Sequence, residues 1–264
     1  MVAVRGILEI GGRRLPFLRW SALRLVVGLP RLNRDWQVGD GREEALAEYV
    51  VAESRPGDLD DAIRVIDEFC LERSVMINVG DEKGEILDRA VRRASPSLLL
   101  ELGTYCGYSG LRMARVMPPS ARLISIEYNA SNAEIARRIW THAGVADRLT
   151  VVVGSLGDGG TTIERLGREF GLVEEAVDFV FVDHDKNAYL PDLERILDAR
   201  WLHPGSLVVA DNIKMPGAPD YRAYIAAEEG RTWRTTEHHA HVEYQSLLKD
   251  IVLESDYLGD AGGG

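Results

Sequence analysis

The chain has 264 residues, 42 acidic and 31 basic, for a formal net charge of -11 at pH 7. That length holds one large domain or two small ones. Hydrophobic residues at 45% and charged residues at 28% exclude a collagen-like, low-complexity or wholly disordered chain, and the acidic balance excludes electrostatic coating of a nucleic acid.

Residues 1–36 run against that balance. They hold Arg5, Arg13, Arg14, Arg19, Arg24, Arg31 and Arg34 against Glu9 and Asp35, a local charge of +5 that leaves -16 for the rest of the chain. The segment is also apolar, with Leu15-Pro-Phe-Leu-Arg-Trp20 and Leu25-Val-Val-Gly-Leu29. No uncharged run approaches the ~18–20 residues that span a bilayer, and arginines interrupt the apolar stretch a cleavable leader needs. Two readings stand: an amphipathic stretch on an anionic membrane surface, or an extension packed on the domain or on a second subunit. Cys70 and Cys106 are too few for a disulfide framework and point to a reducing, cytoplasmic compartment.

A helix is predicted over 43–54, with Ala45, Leu46, Tyr49 and Val50 as its apolar positions, and Arg55-Pro-Gly57 breaks it. Asp58 caps a second helix whose core face is Ile63, Val65, Ile66 and Phe69. A third runs over about 83–93. Five short apolar strands follow, at 97–102, 122–127, 149–153, 177–182 and 206–210, alternating with helices near 107–117, 131–143, 161–170 and 188–200. Near-continuous apolar strands between helices predict a parallel sheet covered on both faces. After a helix near 218–228, strands at 232–236 and 250–254 are joined by a short connection, which favours an antiparallel pair at the sheet's end. Trp140, Trp201 and Trp233 are expected in the core, and 259–264 is expected to be a disordered tail.

In such a sheet, ligands sit beyond the carboxyl ends of the strands. The first strand delivers Leu100-Glu-Leu-Gly-Thr-Tyr-Cys-Gly-Tyr-Ser109, the second Glu127, the fourth Asp183-His-Asp-Lys186 and the fifth Asp211-Asn212. Gly103 and Gly107 bracket the first turn and let backbone approach a ligand closely. The pattern is G-x-x-x-G behind Glu101, not the G-x-G-x-x-G of a pyrophosphate cradle. A carboxylate there repels a pyrophosphate and favours a cation, which disfavours an NAD-type oxidoreductase. Glu127 can accept hydrogen bonds from both ribose hydroxyls. Together these fit a nucleoside carrying a positive group, such as S-adenosylmethionine.

Asp183 and Asp211-Asn212 close neighbouring strands on the same rim. Three oxygen ligands without sulfur suit a hard cation, Mg2+ above all. Taken singly, each is as readily a helix cap. A divalent cation nearby favours the neutral form of a lysine, so Lys186, three residues from Asp183, is a candidate general base.

From about Gly41 to Leu258 the chain resembles the catechol O-methyltransferase family. The resemblance is carried by Asn78-Val-Gly-Asp-Glu-Lys-Gly84, Glu101-Leu-Gly-Thr-Tyr-Cys-Gly-Tyr-Ser109, Asp183-His-Asp-Lys186, Tyr189-Leu-Pro-Asp192, Ala210-Asp-Asn212, Pro216-Gly-Ala-Pro-Asp220 and Glu243-Tyr244. It implies a catalytic domain over 41–258 behind an extension over 1–40. It implies an α/β, Rossmann-like class I methyltransferase fold: a seven-stranded, mostly parallel sheet of order 3-2-1-4-5-7-6 with helices on both faces. It further implies methyl transfer from S-adenosylmethionine to a hydroxyl of a small ortho-dihydroxy aromatic, with Mg2+ on Asp183, Asp211 and Asn212. Lys186 is then the base, Glu243 holds the second hydroxyl, Asn212 also faces the substrate and Pro216 is a groove wall. Glu127 takes the ribose, and Tyr128 and His184 line the adenine. Ser109 and the Val79 backbone grip the methionine carboxylate, beside Glu101 and Tyr105. Gly103, Ser155 and Asp183 complete the cofactor set.

The match departs from the family at four places. Asp185 stands where a tryptophan is usual, Val75 where a tryptophan gatekeeper covers the ring, Ile77 where a methionine is usual, and Leu156-Gly157 where a polar pair follows the third strand. These changes leave the methyl-transfer residues in place and reshape the groove, so a bulkier ortho-dihydroxy aromatic fits, or another hydroxylated small molecule. A non-catalytic binding module is disfavoured, because binding alone requires no base such as Lys186. His238, His239 and His241 lack the cysteine partner or H-E-x-x-H helix of a zinc site and read as solvent-facing. Cys106 reads as a small residue in a tight turn rather than a nucleophile.

Overall fold

Arg42–Glu53 forms helix α1 in the computed structural model, which describes residues 8–10, 13–15, 24, 27–28, 37–242, 244 and 247–259. Leu46, Ala47 and Val50 of α1 face the core. Asp58 caps α2 (Leu59–Glu68) as the sequence predicts, its Oδ1 accepting from the Asp61 N–H at 3.0 Å. Helix α3 (Gly80–Ala94) begins about one turn earlier than predicted. Asn78 Oδ1 accepts from the Gly80 N–H at 3.0 Å, so the Asn78–Gly84 motif opens the helix instead of preceding it.

The alternating part follows: β1 (Leu98–Leu102), α4 (Tyr108–Val116), β2 (Arg122–Glu127), α5 (Ala130–His142), β3 (Leu149–Val153), α6 (Thr161–Arg165), β4 (Val177–Val182), α7 (Tyr189–Asp198), β5 (Leu202–Ala210), α8 (Pro219–Ala227), β6 (Trp233–His241) and β7 (Lys249–Tyr257). The seven strands lie in the order β3-β2-β1-β4-β5-β7-β6. The first five are parallel, and β7 pairs antiparallel with both β5 and β6. This is the 3-2-1-4-5-7-6 sheet that the resemblance implies.

The two-residue period of a strand divides its apolar residues between two layers. Leu99, Leu123, Phe179, Phe181, Leu207 and Val209 pack with α1 to α5 on one face. Leu100, Ile124, Val180, Val182 and Val208 pack with α7 and α8 on the other. Trp140, Trp201 and Trp233 are all buried, as expected. Strands β5, β6 and β7 are each longer than predicted. Strand β6 lies at the sheet edge, where its Thr, Glu and His residues face solvent and mask the strand signal.

Within the extension, Leu8–Ile10 and Arg13–Leu15 pair as an antiparallel hairpin. Val38 is buried and its N–H donates to Glu43 Oε1 at 2.9 Å, so the chain already belongs to the packed domain there. Among the described residues no helix is long and apolar enough to cross a membrane. The predicted tail from 260 on lies outside the described residues.

Candidate active site

The carboxyl ends of β1, β4 and β5 meet on one rim. Leu102 is in register with Val182 and Val182 with Ala210, so Gly103, Asp183 and Asp211 follow at one level. Gly103 has φ +99°, and a Cβ there would lie 2.2 Å from the Asp183 carbonyl oxygen. Gly107 has φ +84°, and a Cβ there would lie 2.5 Å from Trp140 Nε1, which donates to the Gly107 carbonyl at 2.8 Å. The two glycines therefore make room first for neighbouring protein, where the sequence alone pointed to a ligand.

Glu101, on β1, is completely buried. The hydroxyls of Ser109 and Ser125 each donate to one of its carboxylate oxygens. Burial pushes the Glu101 carboxyl up to about 7, against the two hydroxyl donors, and the charges of Asp183 and Glu127 add to the rise. Glu127 ends β2, also buried, and burial raises its carboxyl too. Its Oε2 accepts from the Tyr105 N–H and its Oε1 from the Asn129 N–H, both at 2.8 Å. The Asn132 side chain and the Thr104 backbone also hydrogen-bond this carboxylate. Tyr105 has φ +47°, and its hydroxyl donates to Glu43 Oε1 at 3.0 Å.

Val79, the N-cap of α3, is buried. Tyr128 directly follows Glu127 and is 66% exposed, an open aromatic face at the rim. Ser155, past β3, accepts from the Gly157 N–H at 3.1 Å. The His184 ring stacks on Tyr189 at 5.1 Å, and its Nε2 pairs with Asp192 Oδ2 at 2.9 Å. His184 Nδ1 is buried with no hydrogen-bond partner among the described residues.

On the other half of the rim, Lys186 Nζ donates to Asp183 Oδ1 at 2.9 Å and to the Tyr189 hydroxyl at 2.6 Å. Tyr189 in turn donates to the Asp211 carbonyl at 3.1 Å, bracing the β4 turn against the β5 end. Asp211 is fully buried. Its Oδ1 accepts from the Asn212 N–H at 2.6 Å, and its Oδ2 lies 2.8 Å from Lys83 Nζ. Asn212 has φ +54° and donates Nδ2 to Asp250 Oδ2 at 3.0 Å. Burial alone would raise Asp250, but the Lys83 charge and its hydrogen-bond donors outweigh it and hold this carboxyl below its ordinary value.

Asp183, Asp211 and Asn212 thus offer two carboxylates and one amide oxygen on adjacent strand ends, a donor set whose chemistry fits a hard cation. Among the described residues, no three His, Cys, Asp or Glu side chains cluster as metal ligands. His238 Nε2 is hydrogen-bonded to Glu254 at 2.7 Å and His241 Nδ1 to Glu82 at 3.0 Å, so each has a carboxylate partner of its own. Pro216 is exposed in the turn Ile213–Gly217 beside Asn212. Glu243 lies outside the described residues; the hydroxyl of its neighbour Tyr244 donates to Asp67 Oδ1 at 2.8 Å. Burial pushes the Cys106 thiol well up, which keeps it neutral, in line with a packing role.

Residues 61–221 match the O-methyltransferase family. A probable O-methyltransferase from Mycobacterium tuberculosis is 56% identical over 235 residues, covering 89% of this chain and 100% of that protein. Catechol O-methyltransferase B from Danio rerio is 40% identical over 218 residues, covering 83% and 80% of the two chains. The chain belongs to the O-methyltransferase family. As such it is an S-adenosylmethionine-dependent O-methyltransferase, similar to the catechol O-methyltransferases. A solved O-methyltransferase from Bacillus cereus, in complex with SAH, shares the fold with a TM-score of 0.60 at 20% identity, covering 89% of this chain and 98% of that one.

Several residues of this O-methyltransferase site carry no role in the sequence reading. Lys83 sits inside a quoted motif, and Asp250 was only the start of a strand. A signal for Lys83 was present: it shares a helix face with Leu87, Ala90 and Val91, and a cation on an apolar face implies a buried partner. Asp67 and Glu43 left no comparable mark. At the departures, Asp185 serves its own turn, accepting from the Asn187 N–H at 3.0 Å. Val75 is half-buried, and its carbonyl takes a hydrogen bond from Arg42 at 2.5 Å.

Proposed function

We propose that this O-methyltransferase moves the methyl group of S-adenosylmethionine to one hydroxyl of an ortho-dihydroxy aromatic, with Mg2+ held by Asp183, Asp211 and Asn212. The observation that carries the reading is the cluster on the β4 and β5 ends. There a lysine amine lies 2.9 Å from Asp183 Oδ1 and is braced to Asp211 through Tyr189. Catechol O-methyltransferases at 36% identity in Mus musculus and 40% in Danio rerio support the choice of acceptor.

Mg2+, when bound, supplies a Lewis acid that favours the ionised form of a hydroxyl. The sulfonium supplies an electrophilic methyl carbon. The chain's own residues bind, orient and move one proton. Glu127 accepts from the ribose hydroxyls, and Tyr128, Ser155 and His184 surround the adenine. Ser109 and the Val79 backbone take the methionine carboxylate, while Glu101 faces the methionine ammonium beside Tyr105, with Gly103 under the turn. Glu243 holds the hydroxyl that is not methylated, Asn212 also faces the substrate, and Pro216 forms one wall. Lys186 accepts at Nζ the proton of the hydroxyl that is methylated. The oxygen then bonds to the methyl carbon as the carbon–sulfur electron pair returns to sulfur. Most of the remaining work is positional, holding the two reactants in near-attack geometry. Residues 41–258 carry this chemistry and residues 1–40 are an extension to it.

Mass-detected methyl transfer to a panel of catechols, with monophenols as controls, tests the reading. Ortho-diols are methylated, chelation with EDTA stops turnover and added Mg2+ restores it. Equal turnover of monophenols, or full turnover after chelation, overturns it.

A further inference from the structure

One buried carboxylate gathers an unusual number of donors beside the rim. Asp250 opens β7 and is wholly buried. Its Oδ1 accepts from the backbone N–H groups of Lys214 at 3.1 Å, Met215 at 2.9 Å and Ile251 at 2.8 Å. Its Oδ2 accepts from Asn212 Nδ2 at 3.0 Å and from Lys83 Nζ at 3.2 Å. Lys83, from α3, is equally buried and also touches Asp211 Oδ2 at 2.8 Å.

A buried ion pair is weak evidence for stability, because desolvation offsets much of the attraction. What this pair does hold is specific. Lys83 fixes one oxygen of Asp211. Asp250 fixes the amide of Asn212, directing its nitrogen inward, and pins the backbone of 214–215 that leads to Pro216. Lys83 on α3 and Asp250 on β7 have no proposed contact with cofactor or acceptor, yet they hold the rim residues at the β5 end.

We propose that Lys83 and Asp250 are positioning residues that set Asp211, Asn212 and the 213–217 turn for cation and acceptor binding. The inference rests on the Mg2+ reading above. Groups that orient metal ligands in this way are worth about 10–100-fold in metal affinity.

The test measures Mn2+ binding to the SAH-loaded full chain by the loss of the free-ion electron paramagnetic signal. It compares the wild type with Lys83→Met and Asp250→Asn. SAH affinity is followed by calorimetry, and exchange of the Lys214 and Met215 amides by hydrogen–deuterium exchange. Expected is about 10–100-fold weaker Mn2+ binding in both variants, faster exchange at the two amides in Asp250→Asn, unchanged SAH affinity, and partial recovery in Lys83→Arg. Variants that bind SAH and Mn2+ like the wild type overturn the proposal. So does loss of SAH binding together with native circular dichroism in both variants, which would assign the pair to the cofactor half of the site. A wild type that binds SAH but no Mn2+ would instead sink the Mg2+ reading, and this inference with it.

Discussion

Ser109 donates its hydroxyl to the carboxylate of Glu101, and both side chains are buried. The two residues belong to β1 and to the helix that follows it, and both face the methionine end in the proposed complex. Burial raises Glu101 from 4.5 to about 7. Affinity for SAH, whose ammonium faces this carboxylate in the proposed complex, should therefore fall below pH 7, approaching about tenfold per pH unit. Stability of the ligand-free protein should move the other way. A carboxyl raised in the folded state contributes stability at low pH and loses it as pH rises through about 7. Calorimetric titrations and thermal melts across neutral pH check both slopes, and Glu101→Gln should flatten them. An SAH affinity constant through this range would contradict the assignment.

Lys186→Ala should lower turnover by about 100–10,000-fold, the usual worth of a positioned acid or base. SAH binding should stay near wild type, since Lys186 touches Asp183 and Tyr189 and nothing of the Glu101–Glu127 half. Lys186→Arg should not rescue, because a guanidinium does not give up its proton. Steady-state kinetics beside calorimetry separates the two effects; near-wild-type turnover in Lys186→Ala would remove it from the base role.

Tyr244→Phe should raise the acceptor KM by about fivefold, the loss of roughly one hydrogen bond of 1 kcal/mol. Its hydroxyl shares Asp67 Oδ1 with that of Tyr108, which donates at 2.6 Å, and so ties the chain next to Glu243 to α2 and α4. The measurement is KM for a catechol against Kd for SAH; an equal shift in both would show a general loosening instead.

Gly103→Ala should destabilise the protein by about 1–3 kcal/mol, as overpacking does. The new methyl would meet the Asp183 carbonyl at 2.2 Å, on a backbone with φ +99°. Thermal melts should show a lowered midpoint, and both SAH binding and turnover should weaken. A melt identical to wild type would mean that the two turns yield easily.

Most of the architecture was readable because apolar strands and amphipathic helices announce themselves by period. Asp58, Pro56 and the buried strand cores behaved as local chemistry dictates. The edge strand β6 extends to His241, past the expected 232–236, because its many polar residues hide the strand period in the sequence. In the site, Glu101, Glu127, Asp183 and Asp211 stood out as acids at the ends of apolar strands. Lys83 and Asp250 did not, since their meaning lies in meeting each other across 167 positions of chain. No local spacing encodes such a meeting.

Between Gly103 and the Asp183 carbonyl there is no room for a methyl group. The turn proposed to cradle the donor and the turn proposed to carry the cation are thereby a single seam, so a displacement of one is a displacement of the other. In the proposed complex, the protein itself then sets the spacing between donor and cation. On the proposed reading, substrate range can drift at Val75 and Ile77, which already differ from the usual family residues, without disturbing this seam.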